Sequence, residues 1–561
     1  VIPRASAPFL AAITENIPVS TRGELVWEHD QSTKSMAHQE PVESCMNQLL
    51  ALSGPELVFG LVGAVGSDLG AVTRTLTAEL ERVRYRVEEI HVSSLLHQLD
   101  SYAHLGTSAF ASEFDRIREH MKGGTDLRNR MGTGEVMAVL AISAIRQRRI
   151  LLQPDLPQEQ AGNQPLERTA FIIRSLKHPD EIQMLRYVYG RAFNVISTYA
   201  PRQDRVEKLA ATIAESRGET YTDRFRAQAE ELIQIDEQEQ NKLGQSVRDS
   251  FPCGDFFVDA RSLERLQAGL ARYVRLLFGH PFETPTRDEF AMFHAHSAAL
   301  RSADLGRQVG VAITNQDGSI LAVGCNDVPK VGGGLYWSGE SPDHRDFVKG
   351  VDSTSRFKRQ LLAQALARLR DAGWRPPENS PGDADSLLAA GMLNGTQIQN
   401  LLEFGRSVHA EMSALSEAAH RGIAVERANM YTTTFPCHLC ARHIISAGIR
   451  RVVYIEPYPK SLARELYEDM IDVDPCVARP DRVTFEPFVG VAPSIYTEMF
   501  RATERKDSRG NAIAWIGGKA QPRLNRFVPS YLLIEGRVLG NVLPVILARS
   551  AVSRVLEETS I

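Results

Sequence analysis

Two short segments constrain this chain more than any other feature: His409-Ala410-Glu411 and Pro436-Cys437-His438-Leu439-Cys440. The stretch 412–435 between them has room for a helix, a loop and a strand. One imidazole and two thiolates suit zinc, which in catalytic sites keeps three protein ligands and leaves a fourth position for water. The C-x-x-C spacing places both sulfurs in the first turn of a helix, where exposed N–H groups and the helix dipole favour thiolate over thiol. His409 is expected at the start of the preceding helix. Glu411, two residues on, then stands near the open metal position without being a ligand. Zinc lowers the pKa of bound water, and a nearby carboxylate can take its proton. Any fold of this chain must therefore set two helix starts side by side. A purely structural zinc would need a fourth ligand, and His438 is too close to both cysteines to close a tetrahedron. His443 reads as a helix-face residue.

At 561 residues the chain exceeds one ordinary core, so several domains are expected. Hydrophobic residues at 43% and charged residues at 24% describe a globular protein. The net charge of −5 lacks the basic bias of proteins that track a nucleic-acid backbone. Only two of the six cysteines have paired spacing, which suits a reducing, cytoplasmic compartment better than a disulfide framework. No uninterrupted apolar run of about 18 residues is seen, so no membrane span is expected. The first ten residues lack the pattern of a secretory signal.

Residues 1–50 read as an irregular arm. A strand at 56–63, a helix at 69–84 and a strand at 86–92 make a βαβ pattern. Residues 149–152 and 169–174 read as strands around a linker at 153–165, followed by strands at 194–197 and 255–258 and a charged helical stretch at 206–242. A second pattern starts near Gly279. It has a helix at 288–302, a hairpin at 309–323 and an insertion at 329–405 around a charged helix. Then come helix 409–420, strand 429–433, helix 437–446 and strand 451–455. The expected boundaries are 51–275, 276–500 and a C-terminal extension at 501–561. In the extension, 531–547 is apolar but interrupted by Gly536, Gly540 and Pro544, and reads as a buried terminal helix or strand.

The segment Gly63-Ala64-Val65-Gly66-Ser67-Asp68-Leu69-Gly70 follows a strand and opens a helix, the place for a phosphate-cradling loop. Against the pattern G-x-x-x-x-G-K-[ST], Asp68 replaces the second glycine, Leu69 the lysine and Gly70 the hydroxyl residue. Phosphoryl transfer is therefore not expected. What remains is a sensing or docking domain that binds a nucleotide at Gly63, Gly66 and Ser67, or a glycine turn with no ligand.

The H-x-E…P-C-x-x-C pattern is shared by the zinc nucleobase deaminases. From about 280 to 496 the chain resembles the deoxycytidylate deaminase branch of the cytidine deaminase superfamily. The riboflavin-pathway deaminases, with P-C-x-H-x-G-x-x-x-x-C, fit less well. The resemblance implies an α/β/α sandwich with His409, Cys437 and Cys440 on one zinc ion and Glu411 as proton shuttle. It also implies that Asn326 contacts the sugar, that the Ala410 backbone meets the carbonyl side of the base, and that Lys330, Arg406, Lys460 and Ser461 hold the phosphates. The first half, with 168–174, 178–181 and 244–249, resembles a degenerate P-loop kinase-like domain, a parallel sheet with helices. Together the halves resemble the bacterial anti-phage cytidine-nucleotide deaminases. That resemblance implies an α/β protein converting dCTP or dCMP to the uracil nucleotide, with magnesium accompanying a triphosphate. It further implies a homo-oligomer such as a hexamer, and an RNA or nucleotide regulator acting through the first domain. A polynucleotide editor would need a basic groove and salt-sensitive binding, which the acidic balance disfavours. A non-enzymatic sensor would leave the intact Glu411 without a role.

Overall fold

The computed structural model describes residues 54–551, apart from 108, 238, 240, 377–380, 394–395, 397, 399–400, 402–403, 459–460, 476, 503 and 524–530. The expected arm at 1–50 and Lys460 lie outside the described residues. The chain divides into two compact units, residues 1–284 with 489–561, and residues 285–488.

The first unit runs β1 (Leu57–Gly63), α1 (Leu69–Arg82), β2 (Arg86–His91), α2 (Glu113–Met131), α3 (Val136–Leu152), β3 (Thr169–Leu176) and α4 (Pro179–Tyr189). It continues with β4 (Phe193–Tyr199), α5 (Arg202–Ser216), α6 (Arg226–Glu237), β5 (Phe256–Asp259) and α7 (Leu263–Leu277). The strands pair in parallel in the order β5-β4-β1-β3-β2, and Gly490–Val491 adds an antiparallel edge beside β5. Every residue of β1 is buried, as a parallel strand covered on both faces requires. Val58 and Val62 enter one core with α3, whereas Leu57, Phe59 and Leu61 enter the other with α1 and α7.

Residues 149–152, expected as a strand, form the last turn of α3. The apolar stretch reaches back to Val136, and its 17 residues suit a helix rather than a strand. The charged stretch 206–242 is two helices, parted at Gly218, whose φ is +69°.

Residues beyond 488 belong to the first unit. The C-terminal helix, Tyr531–Ala551, is continuous through Gly536, Gly540 and Pro544, and buries Tyr531, Leu539, Leu543 and Ile546 in the core shared with α3. By length and composition Tyr531–Ser550 also qualifies as a membrane span, with a mean hydropathy of 1.5. Its interruptions break the run of apolar residues but leave the mean at 1.5. One of them is Glu535, which is fully buried and bonded to Arg149 Nη2 at 2.9 Å. Arg149, itself 0% exposed, also bonds both oxygens of Glu56, at 2.9 Å from Nε and 2.9 Å from Nη2. Tyr531 Oη donates to Glu56 at 2.6 Å. One guanidinium thus ties the C-terminal helix, α3 and the entry to β1.

The second unit runs α8 (Arg287–Ala299), β6 (Gly310–Thr314), β7 (Ile320–Cys325), α9 (Ser353–Asp371), α10 (Ala410–His420), β8 (Asn429–Thr434), α11 (His438–Ser446), β9 (Arg451–Glu456), β10 (Ile471–Val473) and β11 (Val483–Pro487). Its sheet order is β10-β11-β9-β8-β6-β7, with β6 antiparallel to both neighbours and the other pairs parallel. A capping box of Thr286 and Glu289 starts α8. Two glycines set the layers. A Cβ on Gly310 would lie 2.0 Å from the Ala295 carbonyl of α8, and one on Gly324 would lie 2.4 Å from the Ala414 nitrogen of α10. Gly324 pairs with Val311, the residue after Gly310, so the two glycines face opposite sides of the sheet. Helices therefore cover both faces, and the whole protein is mixed α/β.

Asp288 of α8 ties that helix to the sheet, accepting two bonds from Arg451 at 2.8 and 2.7 Å and one from Tyr431 Oη at 2.7 Å. Burial alone would raise the Asp288 carboxyl, but Arg451 holds it below the ordinary range. A depressed folded-state pKa gives stability that is present above the unfolded value and lost as pH falls through the folded one. Asp288→Asn is expected to destabilise the second unit by about 1–2 kcal/mol at pH 7. It should also flatten the loss of stability below about pH 5, measured as urea midpoints across pH.

Candidate active site

The insertion between β7 and α10 begins and ends at a backbone bridge, Asp327 with Val408, whose N–H groups bond the opposite carbonyls at 3.3 and 2.9 Å. The bridge delivers the chain directly to His409, the N-cap of α10. Cys437 is the N-cap of α11, and Cys440 lies in its first turn. The β8 edge sets that turn: Phe435 N–H donates to the Glu456 carbonyl at 2.8 Å, and Ser461 Oγ donates to the Pro436 carbonyl at 2.8 Å.

The two helix starts meet. His409 Nδ1 lies 3.3 Å from Cys437 Sγ and 3.4 Å from Cys440 Sγ, and the three donor atoms fall within 4.8 Å of one another. Tetrahedral zinc with ordinary Zn–S and Zn–N bonds separates sulfur from nitrogen by about 3.6 Å, so the donor set fits that ion. Hydrogen bonds from Cys440 and His409 hold the Cys437 thiol well below its ordinary range. The same contact pushes His409 up to about 9. Glu411 is 5% exposed, and burial, reinforced by the Cys437 thiolate, raises its carboxyl.

A cavity of about 350 Å³ opens over this cluster, lined by His409, Ala410, Glu411 and Cys437. Asn326 and Arg406 line it as well, but both have protein partners. Asn326 Oδ1 accepts the Val309 N–H at 2.8 Å and its Nδ2 donates to the Arg307 carbonyl at 2.8 Å. Arg406 Nη1 bonds Asp346 at 2.5 Å. Lys330 and Ser461 do not line the cavity. Lys330 pairs with Glu340 at 2.8 Å, and Ser461 holds the turn before Cys437. Sequence reasoning missed Arg307, Phe435 and Tyr458, which line the cavity, and Gly324, which lets α10 approach β7. A glycine inside a strand was the available signal for Gly324; the other three had none.

The loop at Gly63, Gly66 and Ser67 is in the first unit. Gly66 has φ +88°. The Val65 N–H donates to Asp236 Oδ2 at 2.6 Å, and Lys177 Nζ bonds the Gly63 carbonyl at 2.9 Å and Asp236 Oδ1 at 2.8 Å. A protein carboxylate thus already sits on the loop.

Residues 285–456 match the family model described as the cytidine and deoxycytidylate deaminase zinc-binding region. The match lies within the second unit. The ComE operon protein 2 of Bacillus subtilis is 41% identical over 64 residues, 11% of this chain and 34% of that protein. The deoxycytidylate deaminase of Enterobacteria phage T2 is 44% identical over 54 residues, 10% of this chain and 29% of that protein. The chain thus spans about a third of the length of the curated relatives it matches. Among solved structures, the dCMP deaminase of cyanophage S-TIM5 aligns with 37% of this chain and 100% of its own, at 18% identity and a TM-score of 0.20. A gluconokinase from Sinorhizobium meliloti 1021 aligns with 40% of this chain and 96% of its own, at 13% identity and a TM-score of 0.20.

Zinc content offers a direct check. The purified chain is expected to carry one zinc, and Cys437→Ser or Cys440→Ser to retain about a tenth or less, measured by elemental analysis.

Proposed function

We propose that this chain hydrolytically deaminates deoxycytidine nucleotides, dCTP or dCMP, to the deoxyuridine nucleotide and ammonia. The observation that carries this reading is the convergence of His409, Cys437 and Cys440 beside a buried Glu411 at the cavity. The family match over 285–456 and the phage relatives named deoxycytidylate deaminase support the substrate class.

His409, Cys437 and Cys440 would hold the zinc, which would supply a Lewis acid that lowers the pKa of water toward neutrality. Glu411 takes the proton of the attacking water, and its raised pKa suits it to hold that proton and release it. It passes that proton to N3 of the ring, then takes the second proton from the hydroxyl now on C4 and passes it to the exocyclic amine. A C4–O bond forms, the C4–N bond breaks, and ammonia leaves. Ala410, at the helix start, presents backbone to the base. Asn326 keeps one N–H for the sugar, and Arg307 and Arg406 are the cavity cations for the phosphates. Magnesium accompanies a triphosphate. The wider reading is a cytoplasmic homo-oligomer that depletes the deoxynucleotide pool in anti-phage defence, with its first unit as the regulatory part.

The test is ammonia release and nucleotide chromatography with dCTP, dCMP, CTP, CMP and cytosine-containing single-stranded DNA, beside a chelated sample. Turnover of a deoxycytidine nucleotide that chelation removes supports the reading. Turnover of the polynucleotide alone, or of nothing by zinc-loaded protein, overturns it.

A further inference from the structure

The insertion between β7 and α10 builds part of the active-site wall: Asp346, Asp352 and Thr354 line the cavity together with Arg406. Two guanidiniums line that cavity, and they are held differently. Arg307 pairs with Glu456 at 3.3 Å, with side chains 50% and 41% exposed, an arrangement that fixes little in water. Arg406 is gripped at two points. Its Nη1 donates to Asp346 Oδ1 at 2.5 Å and its Nη2 to the His344 carbonyl at 3.1 Å. The Asp346 side chain is 11% exposed and that of Arg406 33%. The carboxylate is thus the buried anchor, and the guanidinium is the group a ligand can reach. Each terminal nitrogen carries two N–H groups, and only one on each has a partner among the described residues.

The anchor is itself tied to the frame of the active site. Between His344 and Asp346 stands Arg345, 8% exposed. Its Nε bonds Asp343 Oδ1 at 3.1 Å and its Nη2 bonds Oδ2 at 2.7 Å, while Nη1 lies 3.8 Å from Asp327 Oδ2. Asp327, 1% exposed, forms the bridge with Val408 that leads into His409. On the other side, Ser353 Oγ donates to the Phe404 carbonyl at 3.2 Å, two residues before Arg406. Both ends of the insertion therefore converge on the chain that carries Arg406. Ordering a long side chain when a ligand arrives weakens binding. A guanidinium that is already clamped has less freedom to lose, and its planar donors suit the oxygens of a phosphate.

We propose that Asp346 is a positioning residue for the substrate phosphate: it holds Arg406 at the cavity before the nucleotide arrives, so the insertion takes part in recognition. The inference rests on the nucleotide reading above. Asp346 acts through Arg406 and not on the reacting atoms, so its loss falls on binding.

Steady-state deamination of dCMP by the full chain tests this with Asp346→Ala, Arg406→Ala and the double variant. Asp346→Ala should raise KM about three- to tenfold, with kcat changed less than KM. In the Arg406→Ala background the same substitution should change KM by less than about twofold, because the clamp then has nothing to hold. Asp346→Asn keeps the shape and an acceptor oxygen, and should raise KM less than Asp346→Ala does. Zinc content at the wild-type level shows that each variant still builds the site; if Asp346→Ala loses zinc, Asp346→Asn takes its place in the cycle. A KM that is unchanged or lowered, a rise that is equal with and without Arg406, or an effect on kcat alone overturns the inference. No turnover by zinc-loaded wild type overturns the deamination reading instead. Calorimetric titration of dCMP into the same proteins then reads the clamp by itself, as a Kd raised by the same factor in Asp346→Ala. An unchanged Kd, or no binding of dCMP, overturns the inference there.

Discussion

Glu411→Gln is expected to lower deamination turnover by about 10²–10⁴-fold while zinc content stays at the wild-type level. The substitution keeps the size and the hydrogen-bonding reach of the side chain but removes its ability to carry a proton. Zinc is untouched because the three donor atoms belong to His409, Cys437 and Cys440. The effect should fall on kcat more than on KM, since a proton carrier acts as the bonds change rather than in substrate binding. Glu411 is 5% exposed, and a neutral amide removes a charge that burial penalises. The variant should therefore unfold at the same urea concentration as wild type or a higher one. A variant with full zinc, unaltered stability and wild-type turnover would remove Glu411 from the chemistry.

The largest structural effect is expected at Arg149. Arg149→Met removes the cation bonded to both Glu56 and Glu535 and leaves two carboxylates buried at 2% and 0% exposure. Breaking a buried ion pair from one side costs about 3–5 kcal/mol, a large share of the 5–15 kcal/mol that holds a typical domain. The first unit should lose its C-terminal helix first, because Glu535 is that helix's link to Arg149. Limited proteolysis should then cut ahead of residue 531, and the urea midpoint should fall. Adding Glu56→Gln and Glu535→Gln to Arg149→Met should recover much of the loss, since the buried charges are then gone. Lack of recovery would mean that Arg149 matters through its packing and its other hydrogen bonds rather than through charge.

How much of this was legible in the sequence depended on whether a feature was local. The strand at 57–63, the hairpin at 310–325 and the helices carrying His409 and Cys437 follow from periodicity, glycine turns and spacing within short windows. The region 149–152 misled because four apolar-flanked residues suit either a strand or the end of a helix. Residues lining the active-site cavity were harder. Arg406 lines it, whereas Lys330 is drawn to Glu340 and Ser461 to the Pro436 carbonyl. A charged or hydroxyl side chain near a motif has several partners within reach, and the sequence does not rank them. Arg307 and Tyr458 come to the cavity from segments well apart in the chain.

By itself the sequence determined the donor set. His409, Glu411, Cys437 and Cys440 stand out by residue type and by offsets of two and three positions, which place each pair at one helix start. Only the tertiary structure decided where residues 489–561 go, that Asp236 occupies the glycine loop, and that Arg149 gathers Glu56 and Glu535 from opposite ends of the chain. These are contacts between residues separated by up to 475 positions. They form because a buried charge must find an opposite one, and nothing in the local sequence says which.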